Sequence, residues 1–421
     1  MLTTRQTCRA CGSATLSPVI SLGEQFLASN FAISDDFPPV GRTIPLDVVR
    51  CNPELDEKAC GLVQLRHTVP SDLMYSSYGY RSGINQTMTR HLGDIARGLE
   101  KRVALKSGDL VVDIGANDGT LLLQYETKGA QYIGFEPSNI EPAEPTPQLT
   151  FIRDYFGAAP LRRLVGDKKA RIVTSIAMFY DLERPNSFVA DVAEVLADDG
   201  LWVLEMSYLP TMLEKTSFDT ICHEHLEYYS LVALERILGR HGLAVADATL
   251  NDSNGGSIRV AACKQSSPHA QHSREVRSRV YNLKRKEFEL KLESDEPYDD
   301  FRRRSERIRN EAAALILKLR AAGKKVYGYG ASTKGNVILQ YCGITREHVT
   351  AIADRNPAKW GSSTVGTGVP IISEDEMRAA KPDYLLVLPW HFMAEFRARE
   401  EAFIARGGKF IVPVPKVEIL G

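Results

Sequence analysis

The 421-residue sequence lacks several features that would assign it at once to a broad class of protein. Its formal net charge is −1, so no overall charge favours nucleic acid or an anionic membrane surface. Its longest apolar runs, such as 384–390 and 410–415, are far shorter than the ~20 residues that cross a bilayer. The first residues carry no apolar stretch of the kind found in secretion signals. We therefore expect a cytoplasmic protein without nucleic-acid or membrane partners.

Cysteine is scarce: the chain has seven, and an odd number argues against a framework of disulfides. Four of them lie near the N-terminus: Cys8, Cys11, Cys51 and Cys60. The C-x-x-C spacing of the first pair is typical of half of a tetrahedral zinc site, whereas the second pair is separated by the longer insertion "NPELDEKA". We expect this insertion to loop out, so that four thiolates hold a structural zinc ion. Ordinary buried thiols and a redox-active pair are the alternatives.

The length of the chain predicts two to three domains. Residues 1–85 form the expected zinc-binding domain. Residues 86–265 alternate predicted strands and helices, which indicates an α/β domain with a doubly wound sheet. Residues 266–421 begin with a charged stretch, 273–319, whose apolar residues recur at helical spacing and predict one or two amphipathic helices. A second Rossmann-like unit follows.

Several elements can be predicted within the two α/β units. In "DLVVDIGANDGTLLLQY" a strand leads through a glycine-rich turn into a predicted helix. Further along, a helix and a strand are separated by a predicted turn at Asp199 and Gly200. "KKVYGYGASTKGNVILQY" repeats the strand, glycine turn and helix, and the strand after it ends at Asp354.

The first glycine-rich turn has the features of a nucleotide or S-adenosylmethionine site. Its residues Asp113, Gly115, Asn117 and Gly119 follow a buried strand, and Glu136 ends the next strand, where it can accept hydrogen bonds from ribose hydroxyls. The turn reads D-x-G-x-N-x-G rather than G-x-G-x-x-G, which favours S-adenosylmethionine over a dinucleotide. Asp154, after the third strand region, is placed to read an adenine amino group. A tight turn that binds nothing is the remaining alternative.

The stretch "FDTICHEHLEYYS", residues 218–230, concentrates ionisable side chains and has three interpretations. His223 and His225 could bind a metal with a carboxylate, although the zinc-protease form H-E-x-x-H is absent. A histidine could act as an acid–base catalyst, because an unperturbed pKa of about 6.5 lets it be neutral near pH 7. Both histidines could also be satisfied on a polar turn.

Taken in order, the motifs resemble the three-domain S-adenosylmethionine-dependent sugar C-methyltransferases of deoxysugar biosynthesis. The resemblance spans almost the whole chain and is carried by the four cysteines leading into "CGLVQL", by "DIGANDGTLL", "FDTICHEHLEYYS" and "NGGSIRV", and by "YGASTKGNVILQY". It implies a class I methyltransferase fold for the central domain, structural zinc, and C-3′ methylation of a nucleotide-linked 4-keto-6-deoxyhexose. The C-terminal unit would bind the nucleotide.

The resemblance also implies roles for individual residues. His225 would be the base that removes a proton from the carbon beside the ketone, with Glu224 next to it, and Tyr80 in "YGYRSG" would be an active-site tyrosine. A base of this kind contributes on the order of 10² to 10⁴ in rate. Donors to the keto oxygen would be Tyr80, Tyr180 and His223.

The same resemblance extends to the substrate. Residues 254–259 would contact the sugar or its phosphates, with Asn254, Ser257 and Arg259 as the candidates, although a simple hairpin turn explains this stretch equally well. Lys334 would contact phosphate at a helix N-terminus, or would be an ordinary exposed lysine.

Two departures from the family pattern affect the expected active site. The usual "IYHEH" is "ICHEH" here, so Cys222 replaces a tyrosine beside the sugar. A segment that often reads "AHV" is "AMFYDL", so a family histidine is missing near Phe179 and Tyr180.

Two other functions compete with methyl transfer. An NAD-dependent sugar-nucleotide oxidoreductase or epimerase would use the glycine-rich turns, but neither reads G-x-G-x-x-G and no Tyr-x-x-x-Lys pair is at the expected place. A non-catalytic scaffold would have no need of Glu224 and His225. We expect a monomer or a weak dimer.

Overall fold

The computed structural model describes residues 2–29, 31–32, 43–70, 74, 81–144 and 146–421. Tyr80 lies outside the described residues. Within them, most strands belong to three sheets of seven, six and four strands, and two two-stranded ribbons complete the set.

The N-terminal unit is built on the four-stranded sheet. The strands of this unit are β1 (Thr3–Thr4), β2 (Leu16–Gln25), β3 (Phe31–Ala32), β4 (Ile44–Cys51), β5 (Val63–Leu65) and β6 (His67–Thr68), of which β2, β4 and β5 belong to the four-stranded sheet. β4, which is rich in β-branched residues, pairs antiparallel with β2 and β5. A strand from a distant part of the chain, Glu227–Tyr228, adds to the outer side of β5.

The central unit contains the seven-stranded sheet. Its elements are α1 (Gln86–Val103), β7 (Leu110–Ile114), β8 (Gln131–Phe135), β9 (Leu149–Ile152), α2 (Ala158–Val165), β10 (Ala170–Ile176), α3 (Pro185–Val195), β11 (Leu196–Ser207), α4 (Leu209–Glu214), β12 (Glu227–Tyr228), α5 (Leu231–Arg240), β13 (Leu243–Asn251) and β14 (Ser257–Lys264). β7 is buried along its whole length, as its continuous apolar sequence predicts for a central parallel strand.

The strand order of this sheet is β13-β14-β11-β10-β7-β8-β9. The five strands from β11 to β9 are parallel, and β14 runs antiparallel to both of its neighbours. This is the arrangement of class I methyltransferases, so the predicted doubly wound sheet is confirmed. The carboxyl ends of the parallel strands meet at one edge, where such folds bind ligands.

Two local predictions in this unit were wrong. The helix expected after the glycine-rich turn is a single 3-10 turn, Leu122–Gln124, because Glu100 of α1 accepts the amides of Glu126 and Thr127 and draws the chain away. The turn expected at Asp199 and Gly200 is a register shift within β11 instead.

The C-terminal unit follows two helices, as predicted. Its elements are α6 (Arg274–Glu289), α7 (Glu296–Ala321), β15 (Val326–Tyr329), α8 (Thr333–Cys342), β16 (Ile352–Ala353), β17 (Ser363–Thr364), β18 (Ile371–Ile372), α9 (Glu374–Ala380), β19 (Tyr384–Val387), α10 (Met393–Arg399), α11 (Glu401–Ala405), β20 (Lys409–Val412) and β21 (Glu418–Leu420). The sheet order is β18-β16-β15-β19-β20-β21, with only β21 antiparallel. The second Rossmann-like unit is therefore present.

The segment 218–230 lies where the three units meet. Its strand β12 completes the N-terminal sheet, and the backbone of Tyr229 accepts a hydrogen bond from Leu209 of the central unit. On the other side the ring of Phe218 packs against Tyr341 of α8, with ring centroids 5.0 Å apart. One apolar core runs through all three contacts. The fold therefore holds the histidine-containing segment rigidly between the units.

Candidate functional site

The four N-terminal cysteines form a compact cluster. Their sulfur atoms all lie within 4.8 Å of one another, with 3.5 Å between Cys8 and Cys60 and 3.4 Å between Cys11 and Cys51. A zinc ion bound by four thiolates at about 2.3 Å places its sulfurs about 3.8 Å apart, so the cluster fits the ion. Hydrogen bonding to Cys51 holds the pKa of Cys11 far below its ordinary value, which favours the thiolate that binds metal.

Local turns bring these cysteines together. Gly12 adopts a positive φ of 77° and its amide binds the carbonyl of Cys8, which closes the first knuckle. The insertion between Cys51 and Cys60 loops out as predicted, and Asp56 within it accepts a hydrogen bond from Ser13 at 2.7 Å. With four protein ligands no coordination position stays open, so the zinc is structural.

The glycine-rich turn lies at the carboxyl edge of the central sheet. Gly115 and Asn117 both adopt positive φ, and a side chain at Gly115 would meet Met178 at 3.2 Å. Asp113 is buried and accepts a hydrogen bond from Thr174 at 2.5 Å. Burial raises the pKa of Asp113 to about 7.

Glu136 is fixed by the backbone of the same turn. Its two carboxylate oxygens accept the amides of Asn117 at 2.8 Å and Ser138 at 2.9 Å. Each oxygen keeps a further lone pair, which a ribose hydroxyl can use. Asp154 is exposed two residues beyond β9, beside the strand that carries Glu136. The residues predicted for the methyl donor therefore lie along one edge.

Sequence reasoning missed a segment that covers this turn. The amide of Ser82 donates to Asn117 Oδ1, and the amide of Gly83 donates to Asp118 Oδ2, both at 2.9 Å. The polar pair Asn117-Asp118 was visible in the sequence, but its partners lie about 35 residues earlier and only the fold identifies them.

His225 is held in one orientation. Its Nδ1 donates to the carbonyl of Thr220 at 2.8 Å, because a carbonyl can only accept, and this leaves Nε2 with a lone pair. Its ring packs edge-on against Tyr180, with centroids 4.3 Å apart. Burial lowers the pKa of His225 to about 4, so the imidazole is neutral at pH 7. These properties suit a general base.

His223 faces away from this site. Its Nε2 donates to the carbonyl of Ile44 in β4 at 3.2 Å. Among the described residues, the group of side chains close enough to share a metal ion is the cysteine cluster, and it includes neither histidine. A metal bound by His223 and His225 is therefore not supported, nor is a hydrogen bond from His223 to a substrate.

Several buried oxygens in the segment 218–230 and next to Tyr180 have no hydrogen-bond partner among the described residues. They are both carboxylate oxygens of Glu224, Oδ1 of Asp181, Oδ1 of Asp219 and the hydroxyl of Tyr228. Burial, with Glu224 beside it, raises the pKa of Cys222 well above its ordinary value and keeps it a neutral thiol. Leaving such atoms unpaired costs free energy, so their concentration here marks a site for a polar ligand.

Asp181 and Asp219 were not recognised as candidates from the sequence. Asp219 was visible in the histidine-containing stretch, but nothing there showed that Trp390 of the C-terminal unit would donate to its Oδ2 at 2.9 Å. Asp181 lies in "AMFYDL", the segment that lacks the family histidine, and nothing in its sequence indicates that this carboxyl is buried. Burial raises the pKa of both carboxyl groups, followed for Asp181 by repulsion from Glu224.

Two of the predicted substrate contacts are brought together and two are not. Lys334 of α8 donates to the carbonyl of Asn254 at 2.5 Å, across the boundary between the central and C-terminal units. The hydroxyl of Ser257 donates to the carbonyl of Ser253 at 2.9 Å, within the hairpin that joins β13 and β14. Arg259 pairs with the buried carboxylate of Glu205 at 2.7 Å.

Three family models match successive parts of the chain. The "Putative zinc binding domain" matches residues 8–75, the "Methyltransferase domain" 88–248, and the "C-methyltransferase C-terminal domain" 252–415. The first of these contains the cysteine cluster, so the prediction of structural zinc is confirmed.

A full-length relative and several solved structures are also similar to the chain. The C-methyltransferase NovU of Streptomyces niveus is 32% identical over 98% of this chain and 96% of its own length. Magnesium protoporphyrin IX methyltransferase from Synechocystis PCC 6803 with bound SAM is 17% identical, covers 42% of this chain and 79% of its own, and gives a TM-score of 0.31. The 1,6-didemethyltoxoflavin-N1-methyltransferase of Burkholderia thailandensis is 14% identical, covers 42% and 77%, and also gives 0.31.

The three matched domains and the full-length relative argue against both alternatives, an NAD-dependent enzyme and a non-catalytic scaffold. None of the described helices is both long enough and apolar enough to cross a bilayer. The chain belongs to the C-methyltransferases that use S-adenosylmethionine as methyl donor and carry an N-terminal zinc-binding domain.

Proposed function

We propose that the enzyme methylates C-3′ of a nucleotide-linked 4-keto-6-deoxyhexose, and that His225 generates the enolate that accepts the methyl group. The observation that carries this proposal is the neutral, oriented imidazole of His225, in a segment whose buried oxygens lack partners among the described residues. An unactivated sugar carbon is not a nucleophile, whereas a carbon beside a ketone becomes one when a base removes its proton.

The base chemistry follows from the tautomer of His225. Because Nδ1 keeps its proton and donates it in a hydrogen bond to the carbonyl of Thr220, Nε2 is free to take the proton from C-3′. The C–H electron pair then forms an enolate with the 4-keto group. Bound S-adenosylmethionine supplies an electrophilic methyl group and leaves as the neutral thioether. The proton on Nε2 then passes to solvent, which restores the neutral base.

Glu224 has two possible roles, to orient His225 or to bind a sugar hydroxyl, and the contacts of His225 favour the second. Thr220, and not Glu224, orients the imidazole. Because both carboxylate oxygens of Glu224 lack partners among the residues that the structure describes, we assign them to hydroxyl groups of the sugar. The keto oxygen needs donors as its charge grows, and losing one typically costs roughly 3–4 kcal/mol. Nε2 of His223 already donates to the carbonyl of Ile44, so the candidate donor to the keto oxygen among the described residues is Tyr180, whose ring contacts His225.

A nucleotide carrier is supported by the second Rossmann-like unit. Asp354, at the end of β16, accepts the amides of Ala331 and Asn356, both at 2.8 Å. Glu136 is held by two amides in the same way in the central unit. An acidic residue fixed against a glycine-rich turn, with lone pairs left for ribose hydroxyls, therefore occurs twice, once for each nucleoside that the reaction requires.

Solvent exchange at C-3′ tests the proposal directly. The enzyme, saturated with S-adenosylhomocysteine, is incubated in D2O with a nucleotide-linked 4-keto-6-deoxyhexose, and loss of the C-3′ proton is followed by NMR. The wild type should exchange this proton without methylation. A sugar nucleotide that is methylated but whose C-3′ proton does not exchange would reject the enolate.

A matched pair of variants assigns the base. His225→Asn should abolish exchange, while His223→Asn, which changes a histidine two residues away that faces β4, should retain it. Both variants are first checked for binding of S-adenosylhomocysteine, so that loss of fold is not mistaken for loss of base. Equal exchange by His225→Asn and wild type would remove His225 from this role.

A further inference from the structure

Two lysines from different parts of the chain meet on the glycine-rich hairpin 252–256. Lys334 Nζ donates to the carbonyl of Asn254 at 2.5 Å, and Lys215 Nζ donates to the next carbonyl, Gly255, at 2.9 Å. Lys334 is the second residue of α8, whereas Lys215 directly follows α4. Their ammonium groups are therefore brought side by side on consecutive peptide units.

Packing explains why this hairpin is rich in glycine. A Cβ at Gly255 would lie 3.2 Å from the ring of Trp390, and a Cβ at Gly256 would lie 2.3 Å from Thr211. Both glycines also adopt positive φ, at 93° and 136°. The hairpin is thus pressed between the central and C-terminal units, and its carbonyls are presented to the two lysines.

The positive charge of this pair is poorly compensated. The carboxylate nearest Lys215 is the fully exposed Asp252, at 3.9 Å, and a surface pair of this kind contributes little. Within the described residues Lys334 has no ion pair. Burial lowers the pKa of Lys334, and its main acidic neighbour, Asp219, raises it, but Trp390 already occupies one oxygen of that carboxyl. Two ammonium groups on neutral carbonyls repel each other.

Other features beside the lysines suit an acceptor-rich anion. The N-terminus of the ten-residue helix α8 begins one residue before Lys334, and helix N-termini attract anions. His391 lies next to Gly255, and its buried Nδ1 has no hydrogen-bond partner in the described part of the chain. Burial, and then the two lysines, lower the pKa of His391 to about 3 and keep it neutral, so it adds a polar atom without an extra charge.

We propose that Lys215 and Lys334 together bind the diphosphate of the substrate, across the boundary between the central and C-terminal units. This inference rests on the proposed function for the identity of the ligand as a sugar nucleotide. It assigns the phosphate contact to Lys215 in place of Arg259, which is neutralised by Glu205.

Binding of inorganic pyrophosphate to the full-length enzyme, measured by calorimetry, tests the site. Wild type should bind pyrophosphate, and Lys215→Gln and Lys334→Gln should each weaken binding by about 10- to 100-fold, because a charge-assisted hydrogen bond is lost. Lys215→Arg should retain most of the affinity. Lys168→Gln, which removes an exposed lysine bound to Gln131, is the control and should bind as wild type does.

The outcomes separate this inference from the proposed function. Absence of pyrophosphate binding to wild type, or equal binding by wild type and both glutamine variants, would overturn the lysine site. A variant that loses pyrophosphate but still binds S-adenosylhomocysteine with wild-type affinity excludes unfolding as the cause. If the lysine variants behave as expected while wild type shows no exchange at C-3′, the phosphate site stands and the proposed reaction fails.

Discussion

The acid side of the pH profile should report the buried environment of His225. Burial lowers its pKa to about 4, so about 97% of the base is already neutral at about pH 5.5. A solvent-exposed histidine with a pKa of about 6.5 would be only about 9% neutral at the same pH. The neutral fraction of the base at about pH 5.5 would therefore differ about tenfold between the two cases, and the rate of each would fall off at a different pH.

The assay is the rate of C-3′ exchange between about pH 4 and pH 8, with S-adenosylhomocysteine and sugar nucleotide both saturating. Saturation is needed because burial raises the pKa of Asp113 to about 7, and its ionisation would otherwise change donor binding within the same range. We expect a nearly flat rate down to about pH 5, then a fall with an apparent pKa near 4. A fall centred near pH 6.5 would refute the reasoning, since it would mean that the base is exposed in the working complex.

Three further predictions concern stability and metal content. Asp113→Asn should melt at a higher temperature than wild type near pH 8 but not near pH 5. The reason is that ionisation of a carboxyl whose pKa is raised to about 7 lowers the free energy of unfolding by up to about 4 kcal/mol as pH rises. A variant less stable than wild type at pH 8 would contradict this. Cys8→Ser should lose the zinc that metal analysis finds in wild type, whereas Cys342→Ser, at a buried cysteine outside the cluster, should keep it; equal zinc in both would argue against the site. Trp390→Phe removes the donor to buried Asp219 and should lower the free energy of unfolding by about 1–3 kcal/mol, measured by urea denaturation; an unchanged value would mean that water replaces the indole.

The three units of the chain meet at the histidine-containing segment 218–230. The histidine-containing segment completes the N-terminal sheet through β12 and is covered by α8 from the C-terminal unit. The zinc cluster stabilises the first contact, since Arg9, between Cys8 and Cys11, donates to the side chain of Gln64 and the carbonyl of Leu65 in β5. The zinc site thus supports strand β5, with which the histidine-containing segment pairs.

Local patterns determined much of what the sequence alone could establish. The cysteine pairs, the turn "DIGANDG" and the repeated strand–turn–helix units predicted zinc, the methyl donor and two Rossmann-like sheets, because each is carried by short motifs of neighbouring residues. His225 and Glu224 could be named as candidates for the same reason. The helix expected after the donor turn failed because Glu100, on a preceding helix, captures the chain.

Tertiary structure decided which of the candidates share a site. His223 and His225 are only two residues apart in sequence, but the fold directs His223 toward Ile44 of the N-terminal unit and His225 toward Thr220. Only the fold brings Lys215 beside Lys334 and pairs Arg259 with Glu205. The hydrogen-bond partners of His223, Arg259 and Lys334 lie more than 50 positions away in the sequence, and the burial that lowers the pKa of His225 arises from tertiary packing, so no local pattern could have contained them.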